Sequence, residues 1–245
     1  MTVQQKNDTL STRQSEILAL VEEGGYATLE QLSERYSVSM QTVRRDIIAL
    51  ANAGRLQRFH GGAGPIEREE ATRLDYQAKR DISRLEKQKI GKAAADLIED
   101  GATLFLDVGT TVEACASVLA KRKGFTIFTN SMPAAMNFDP QEHQVFVLGG
   151  KVAGKDGSIV GIEALNLIRN VSLDYALIAC STIDQDGRVM DFDLDKIAIK
   201  KAAMNAAQKS LLLATQGKFG RTALAVIAET EQFDKVVTQM RMPKN

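Results

Sequence analysis

The stretch Ser37-Val38-Ser39-Met40-Gln41-Thr42-Val43-Arg44-Arg45-Asp46-Ile47-Ile48-Ala49-Leu50 decides how the chain is read. Val43, Ile47 and Leu50 recur three and four apart, the spacing that places side chains on one face of an α-helix. Ser39 stands where a hydroxyl can cap that helix. The residues left facing outward near its start are Gln41, Thr42, Arg44 and Arg45, which carry amide, hydroxyl and guanidinium groups. Such groups read base edges in a major groove, and either arginine can instead hold a phosphate.

Two helical patterns precede this one. Over Thr12 to Glu23 the apolar Ile17, Leu20 and Val21 fall at helical spacing, and Ser11 with Gln14 has the form of a capping box. Gly24-Gly25 stops it, since glycine readily leaves the helical conformation. A second box, Thr28 with Gln31, opens a short helix whose Leu29, Leu32 and Tyr36 share a face. Beyond Gly54, the run Arg55-Leu56-Gln57-Arg58-Phe59-His60-Gly61-Gly62 reads as a small β wing. The 245-residue chain has zero net charge, which removes the global basic excess of many nucleic-acid binders. Between Arg35 and His60, however, five arginines face the single Asp46, and a phosphate backbone attracts such a local cluster. By pattern alone, a structural bundle with a solvated arginine face fits these residues too.

Ser37-Val38-Ser39, Thr42 to Asp46 and Arg58-Phe59-His60-Gly61-Gly62-Ala63 resemble the signature of the DeoR family of bacterial repressors in order, spacing and residue type. The resemblance implies a winged helix-turn-helix that reads a double-stranded DNA operator. Its recognition helix would hold Ser39, Gln41, Thr42, Arg44 and Arg45, and its wing Arg58 and His60. Asp46 is expected to orient Arg45 or to cap locally. Symmetric repressors read paired half-sites, so a homo-oligomer is expected.

A charged stretch, Glu67 to Lys92, follows Gly64-Pro65 and leads into a helical pattern at Ile90, Ala94, Leu97 and Ile98, closed by Asp100-Gly101. Short apolar runs then alternate with helical patterns: Thr103 to Val108, Phe125 to Thr129, Val145 to Leu148, Tyr175 to Ala179, Ser210 to Leu213, Ala223 to Ile227 and Lys235 to Thr238. That alternation predicts an α/β fold with a mainly parallel sheet, whose ligands bind at the carboxyl ends of the strands. Asp107-Val108-Gly109-Thr110-Thr111 follows the first run and opens a helix, a geometry that suits a phosphate. Asn130-Ser131, Gly149-Gly150 and Lys218 stand at later strand ends. The domains expected are 8–64 for the winged helix-turn-helix, 65–88 for a linker and connecting helix, and 89–240 for an α/β effector-sensing domain.

This second region also resembles the DeoR family, whose C-terminal domain is similar in fold to sugar-phosphate isomerases. Lys155-Asp156-Gly157 to Val160-Gly161, Asp184 to Gly187, Asp191-Phe192-Asp193 and Lys218 to Arg221 are most similar to the subgroup that represses glycerol-3-phosphate genes. The resemblance implies that a small phosphorylated sugar or polyol is the effector. Gly109 to Thr111 would cradle its phosphate, Asn130 and Ser131 would shape the pocket, Lys218 would add charge, and Asp107, Gly149 and Gly150 are expected at the same effector site. Thr215-Gln216-Gly217 departs from the family, which usually has an acid and a serine there, so a partner for ligand hydroxyls or for the lysine is missing.

Two alternatives stand beside this reading. One is a sugar-phosphate isomerase or transferase, with Asp184, Asp193 or Asp195 as a carboxylate base. The other is a DNA-binding protein whose second domain only oligomerises. The expectation is a regulator, not an enzyme, with no cofactor and no metal, since Cys115 and Cys180 lie far apart in apolar stretches and read as buried thiols. No leader and no apolar run of about 18 residues is seen, so no membrane partner and a cytoplasmic location are expected.

Overall fold

The computed structural model describes residues 10–24, 26–59, 61–65, 80–81, 83–154 and 156–239, and the chain divides into two compact units, Met1–Glu67 and Arg68–Asn245. The first unit runs α1 (Thr12–Gly24), β1 (Ala27–Thr28), α2 (Leu29–Tyr36), α3 (Met40–Asn52), β2 (Leu56–Phe59) and β3 (Gly62–Pro65). Ile17, Val21, Leu32, Val43, Ile47 and Leu50, six of the residues that set the helical periods, are at most 1% exposed and form its core together, with Leu29 buried beside them and Leu20 and Tyr36 half-buried against it. Both reciprocal bonds of the Thr28–Gln31 capping box are present, at 3.1 and 2.9 Å, and Ser39 Oγ accepts from Thr42 N at 3.2 Å. Ser37 links α2 to α3 in the left-handed region, φ 50°, and so makes the tight turn of the motif.

The wing is the antiparallel hairpin β2–β3, with Leu56 opposite Pro65 and Phe59 opposite Gly62. Its other edge pairs with β1, a two-residue strand too short to show a period in the sequence. Gly62 is required at this junction, because a Cβ there would lie 2.3 Å from the Ala27 carbonyl oxygen.

The second unit contains α4 (Arg84–Ala95), β4 (Thr103–Leu106), α5 (Thr110–Leu119), β5 (Thr126–Thr129), α6 (Met132–Ala135), β6 (Gln144–Val147), β7 (Lys151–Ala153), β8 (Ser158–Val160) and α7 (Ile162–Arg169). It continues with β9 (Leu173–Ile178), β10 (Thr182–Ile183), β11 (Arg188–Asp191), α8 (Leu194–Ala206), β12 (Ala207–Leu213), β13 (Ala225–Glu229) and β14 (Lys235–Val237). Six strands form one parallel sheet in the order β14-β12-β9-β4-β5-β6. Both faces are covered, and the strand period of two sorts the side chains between them. Leu104, Leu106, Leu177, Leu211 and Leu213 pack with Ile90, Val112 and Cys115, whereas Phe105, Ala176, Ile178 and Leu212 pack with Ile168, Ile197 and Ala203.

Three details depart from the sequence reading. The run Ala223 to Ile227 yields β13, which lies outside the parallel sheet and pairs antiparallel with β11; β10 completes that small sheet. The hairpins built on β7–β8 and β10–β11 have strands of two to four residues, too short for a period to register. Finally α4 ends at Ala95, and Leu97 and Ile98 sit in a tightened turn whose amides bond three residues back. Among the described residues, no helix is long and apolar enough to cross a membrane.

Candidate functional site

On the first unit, the outward face of α3 presents Gln41, Arg44 and Arg45, all exposed, while Val43 and Ile47 point into the core. Ser39 and Thr42 are less available than the sequence suggests. Their hydroxyls lie 3.0 Å apart and bond to each other while Ser39 also caps the helix. Arg58 is exposed on the wing strand β2, and His60 lies outside the described residues.

Asp46 corrects its expectation. It is buried and accepts from Arg13 Nε at 2.6 Å and from Gln14 Nε2 at 3.3 Å, so it locks α3 to α1 rather than orienting Arg45. The physical reason is its place on the inner side of α3 beside Ile47, where a carboxylate needs partners from the neighbouring helix.

On the second unit, the loops after β4, β9 and β12 surround a cavity of about 120 Å³. Gly109, Thr110 and Thr111 form one wall, Ala179, Cys180 and Ser181 another, and Thr215 and Lys218 a third. No side chain caps the N-terminus of α5 at Gly109, so its first amides and the positive end of its dipole face the cavity. Gly109 also permits β4 and β9 to end side by side, since a Cβ would stand 2.6 Å from that of Ala179.

The floor is ionic. Lys200, 1% exposed, bonds Asp107, donates to the Ala179 carbonyl at 2.9 Å and lies 3.5 Å from Asp191. Asp191 also accepts from Ser181 Oγ and from its neighbour's amide, both at 2.8 Å. Burial alone would lower the Lys200 ammonium, but the two carboxylates override it and the group stays charged, above its ordinary value. Burial lifts the Asp107 carboxyl against the pull of Lys200, whereas Asp191, with Lys200 and the two hydrogen bonds against the burial penalty, is held below the usual carboxylate range. One turn earlier on α8, Lys196 pairs with Asp156 at 2.6 Å, and this contact with the bonds from Ser158 holds Asp156 down despite its burial. Cys180 faces the same cavity and is not fully enclosed; burial pushes its thiol up to about 12, so it is neutral.

The structure thus brings Gly109, Thr110, Thr111 and Lys218 together and sets Asp107 directly beneath them as the partner of Lys200. Asn130, Ser131, Gly149 and Gly150 do not line the cavity. Ser131 caps α6, the Asn130 carbonyl accepts from Ile159 N at 2.7 Å, and Gly150, φ 139°, lets the chain pass the Val160 carbonyl. Asn130, Ser131 and Gly150 thus contact the β7–β8 hairpin, whose turn carries Asp156 to the cavity.

Asp156, Asp191, Lys196 and Lys200 were not among the site residues expected from sequence, although two lysines four apart on a helix that also buries Ile197 and Ala203 signal buried cations. Asp156 and Asp191 also supply carboxylates at the cavity that Thr215-Gln216-Gly217 lacks; there Glu86 accepts from the Gln216 amide at 2.7 Å. The candidate bases lie away from the cavity. Asp184 binds Arg188 in a turn, Asp193 caps α8, Asp195 is exposed, and none lines the cavity. Among the described residues, no cluster of three His, Cys, Asp or Glu could hold a metal.

A winged helix-turn-helix carried in one chain with an α/β unit that encloses an ionic cavity defines the class of ligand-sensing transcription regulators. Residues 13–69 match the DeoR-like helix-turn-helix domain and residues 82–240 the DeoR C terminal sensor domain. The glycerol-3-phosphate regulon repressor of Haemophilus influenzae is 35% identical over 93% of this chain and 89% of its own, and that of Escherichia coli is 32% identical over 94% and 91%. Among solved structures, ribose 5-phosphate isomerase A from Methanocaldococcus jannaschii aligns with 56% of this chain and 55% of its own, at 16% identity and a TM-score of 0.42. The chain belongs to the DeoR family of transcription regulators.

Proposed function

We propose that this protein is a DNA-binding repressor of carbohydrate or polyol metabolism genes, released from its operator by a small phosphorylated sugar or polyol, with glycerol 3-phosphate the first candidate. The observation that carries the reading is the cavity, where an uncapped helix start at Gly109-Thr110-Thr111 faces Lys196, Lys200 and Lys218. Backbone amides at a helix start and ammonium groups are complementary to a phosphate, and Asp156 and Asp191 accept from hydroxyls on the same ligand. Ligand names carried by the two repressor relatives point to the same chemistry.

In this account Gln41, Arg44 and Arg45 contact bases or phosphates, Ser39 and Thr42 shape the start of the recognition helix, and Arg58 and His60 hold the backbone from the wing. The working unit is a homo-oligomer, because a single short helix contacts few bases and paired half-sites raise affinity. Residues 8–64 form the DNA reader, 65–88 the connection and 89–240 the sensor. Release requires the effector to prefer the state that binds DNA poorly, since equal affinity for both states shifts nothing. The test is operator affinity titrated with glycerol 3-phosphate, other sugar phosphates and the matching unphosphorylated polyols. Release by a phosphate ester and none by its alcohol is the expected result.

A further inference from the structure

The first residue of the recognition helix is Met40, which is 49% exposed and belongs to no core cluster. It stands one turn before Arg44 on the same ridge of α3, and Gln41 stands one turn before Arg45 on the next. In helix-turn-helix docking the N-terminal residues of this helix are the ones that reach base edges. At that end the two hydroxyls, Ser39 and Thr42, are already bonded to each other and to the helix start. Of the first-turn side chains of α3, Met40 and Gln41 are the exposed ones, and Met40 has no hydrogen-bonding donor to offer a base.

Resting on the DNA-reading function above, we propose that Met40 is a specificity-determining residue that packs on the 5-methyl group of a thymine in the operator. The thymine methyl is the one apolar group that the major groove displays among its donors and acceptors, so an apolar side chain entering there distinguishes thymine from the other bases. A flexible thioether side chain adapts to such a contact without demanding one geometry. The contact would sit beside whatever Arg44 binds, which makes the thymine a near neighbour of that site.

The experiment starts from a duplex pool randomised over 20 base pairs, from which the full-length protein selects its preferred sequence. Each thymine of that sequence is then replaced by deoxyuridine, which removes only the methyl group, and affinities are measured for wild type, Met40→Ala and Met40→Leu. The expected result is one position per half-site where wild type binds about fourfold more weakly without the methyl, the effect of burying one such group. Met40→Ala should show no loss at that position, and Met40→Leu should keep it. Met40→Ala is checked by circular dichroism, and its exposed position predicts an unchanged fold. If no sequence is enriched, the DNA-reading function itself fails and this inference with it. If a sequence is enriched but lacks thymine, or wild type tolerates deoxyuridine at every position, or Met40→Ala is as sensitive as wild type, the DNA reader stands and the role of Met40 is overturned.

Discussion

Replacing Lys200 with Met tests the ionic floor of the cavity. Lys200 is fully buried between Asp107, the Ala179 carbonyl and Asp191, and methionine keeps much of its length while deleting the charge. Removing one partner of a buried pair leaves an uncompensated carboxylate and costs about 3–5 kcal/mol. A domain the size of the Arg68–Asn245 unit shifts its melting temperature by about 2–4 °C per kcal/mol, so the variant should melt about 6–20 °C lower. The loss should depend on pH, with a definite sign. In the variant, Asp107 keeps the burial that raises its carboxyl and loses the cation that opposed it. A carboxyl raised on folding removes stability as pH climbs above its unfolded value near 4, and taking up a proton relieves the burden at lower pH. The gap between wild type and Lys200→Met should therefore be wider at pH 8 than at pH 5. Calorimetry of the full-length protein at both values measures it. A variant within about 2 °C of wild type, or a gap that is the same at both pH values, would refute the reasoning.

Further outcomes follow from the same structure. Arg44→Ala or Arg45→Ala should weaken operator binding about 5- to 150-fold, the range for a lost bidentate base contact, with an unchanged circular dichroism spectrum. Ile47→Asp, by contrast, should unfold the first unit, because it buries an unpaired charge among Val43, Leu50 and Ile17; loss of its melting transition checks this. Gly109→Ala should lower the stability of the second unit by about 1–3 kcal/mol and blunt the effector response, since the new Cβ would meet Ala179 at 2.6 Å. Asp156, held below the ordinary carboxylate range, contributes stability above its unfolded value that is lost as pH falls through the folded one. Asp156→Asn should thus flatten the acid limb of the pH–stability curve, as read by thermal melts between pH 3 and pH 7.

The first unit was legible almost residue by residue because its signals are local. The capping box at Thr28, the Ser39 cap and the three-and-four spacing of Val43, Ile47 and Leu50 each lie within one helix, and the structure reproduces them. Asp46 was not legible, since its partners Arg13 and Gln14 come from a helix 32 or 33 residues earlier. The parallel sheet was legible from alternation of apolar runs, but strand order and the antiparallel pairing of β13 are long-range facts. The cavity shows the same divide. The Gly109 turn announces itself through a strand followed by a helix, whereas the match of Lys200 to Asp107 spans 93 residues and that of Lys196 to Asp156 spans 40. Asn130 and Gly150, expected at the pocket from the ends of strands and from the family resemblance, lie outside the lining of this cavity and contact a neighbouring hairpin.

The central claim is that a phosphate ester binds in the cavity and thereby releases DNA. It is tested most directly by titrating operator complexes of wild type, Thr110→Val and Lys218→Ala with glycerol 3-phosphate and other sugar phosphates, beside glycerol and the free sugars. The account predicts that one ester releases wild type, that its alcohol does not, and that both variants need more ester for release while binding the operator as tightly as wild type. Release of all three proteins at the same ester concentration, or equal release by the unphosphorylated alcohol, would contradict it.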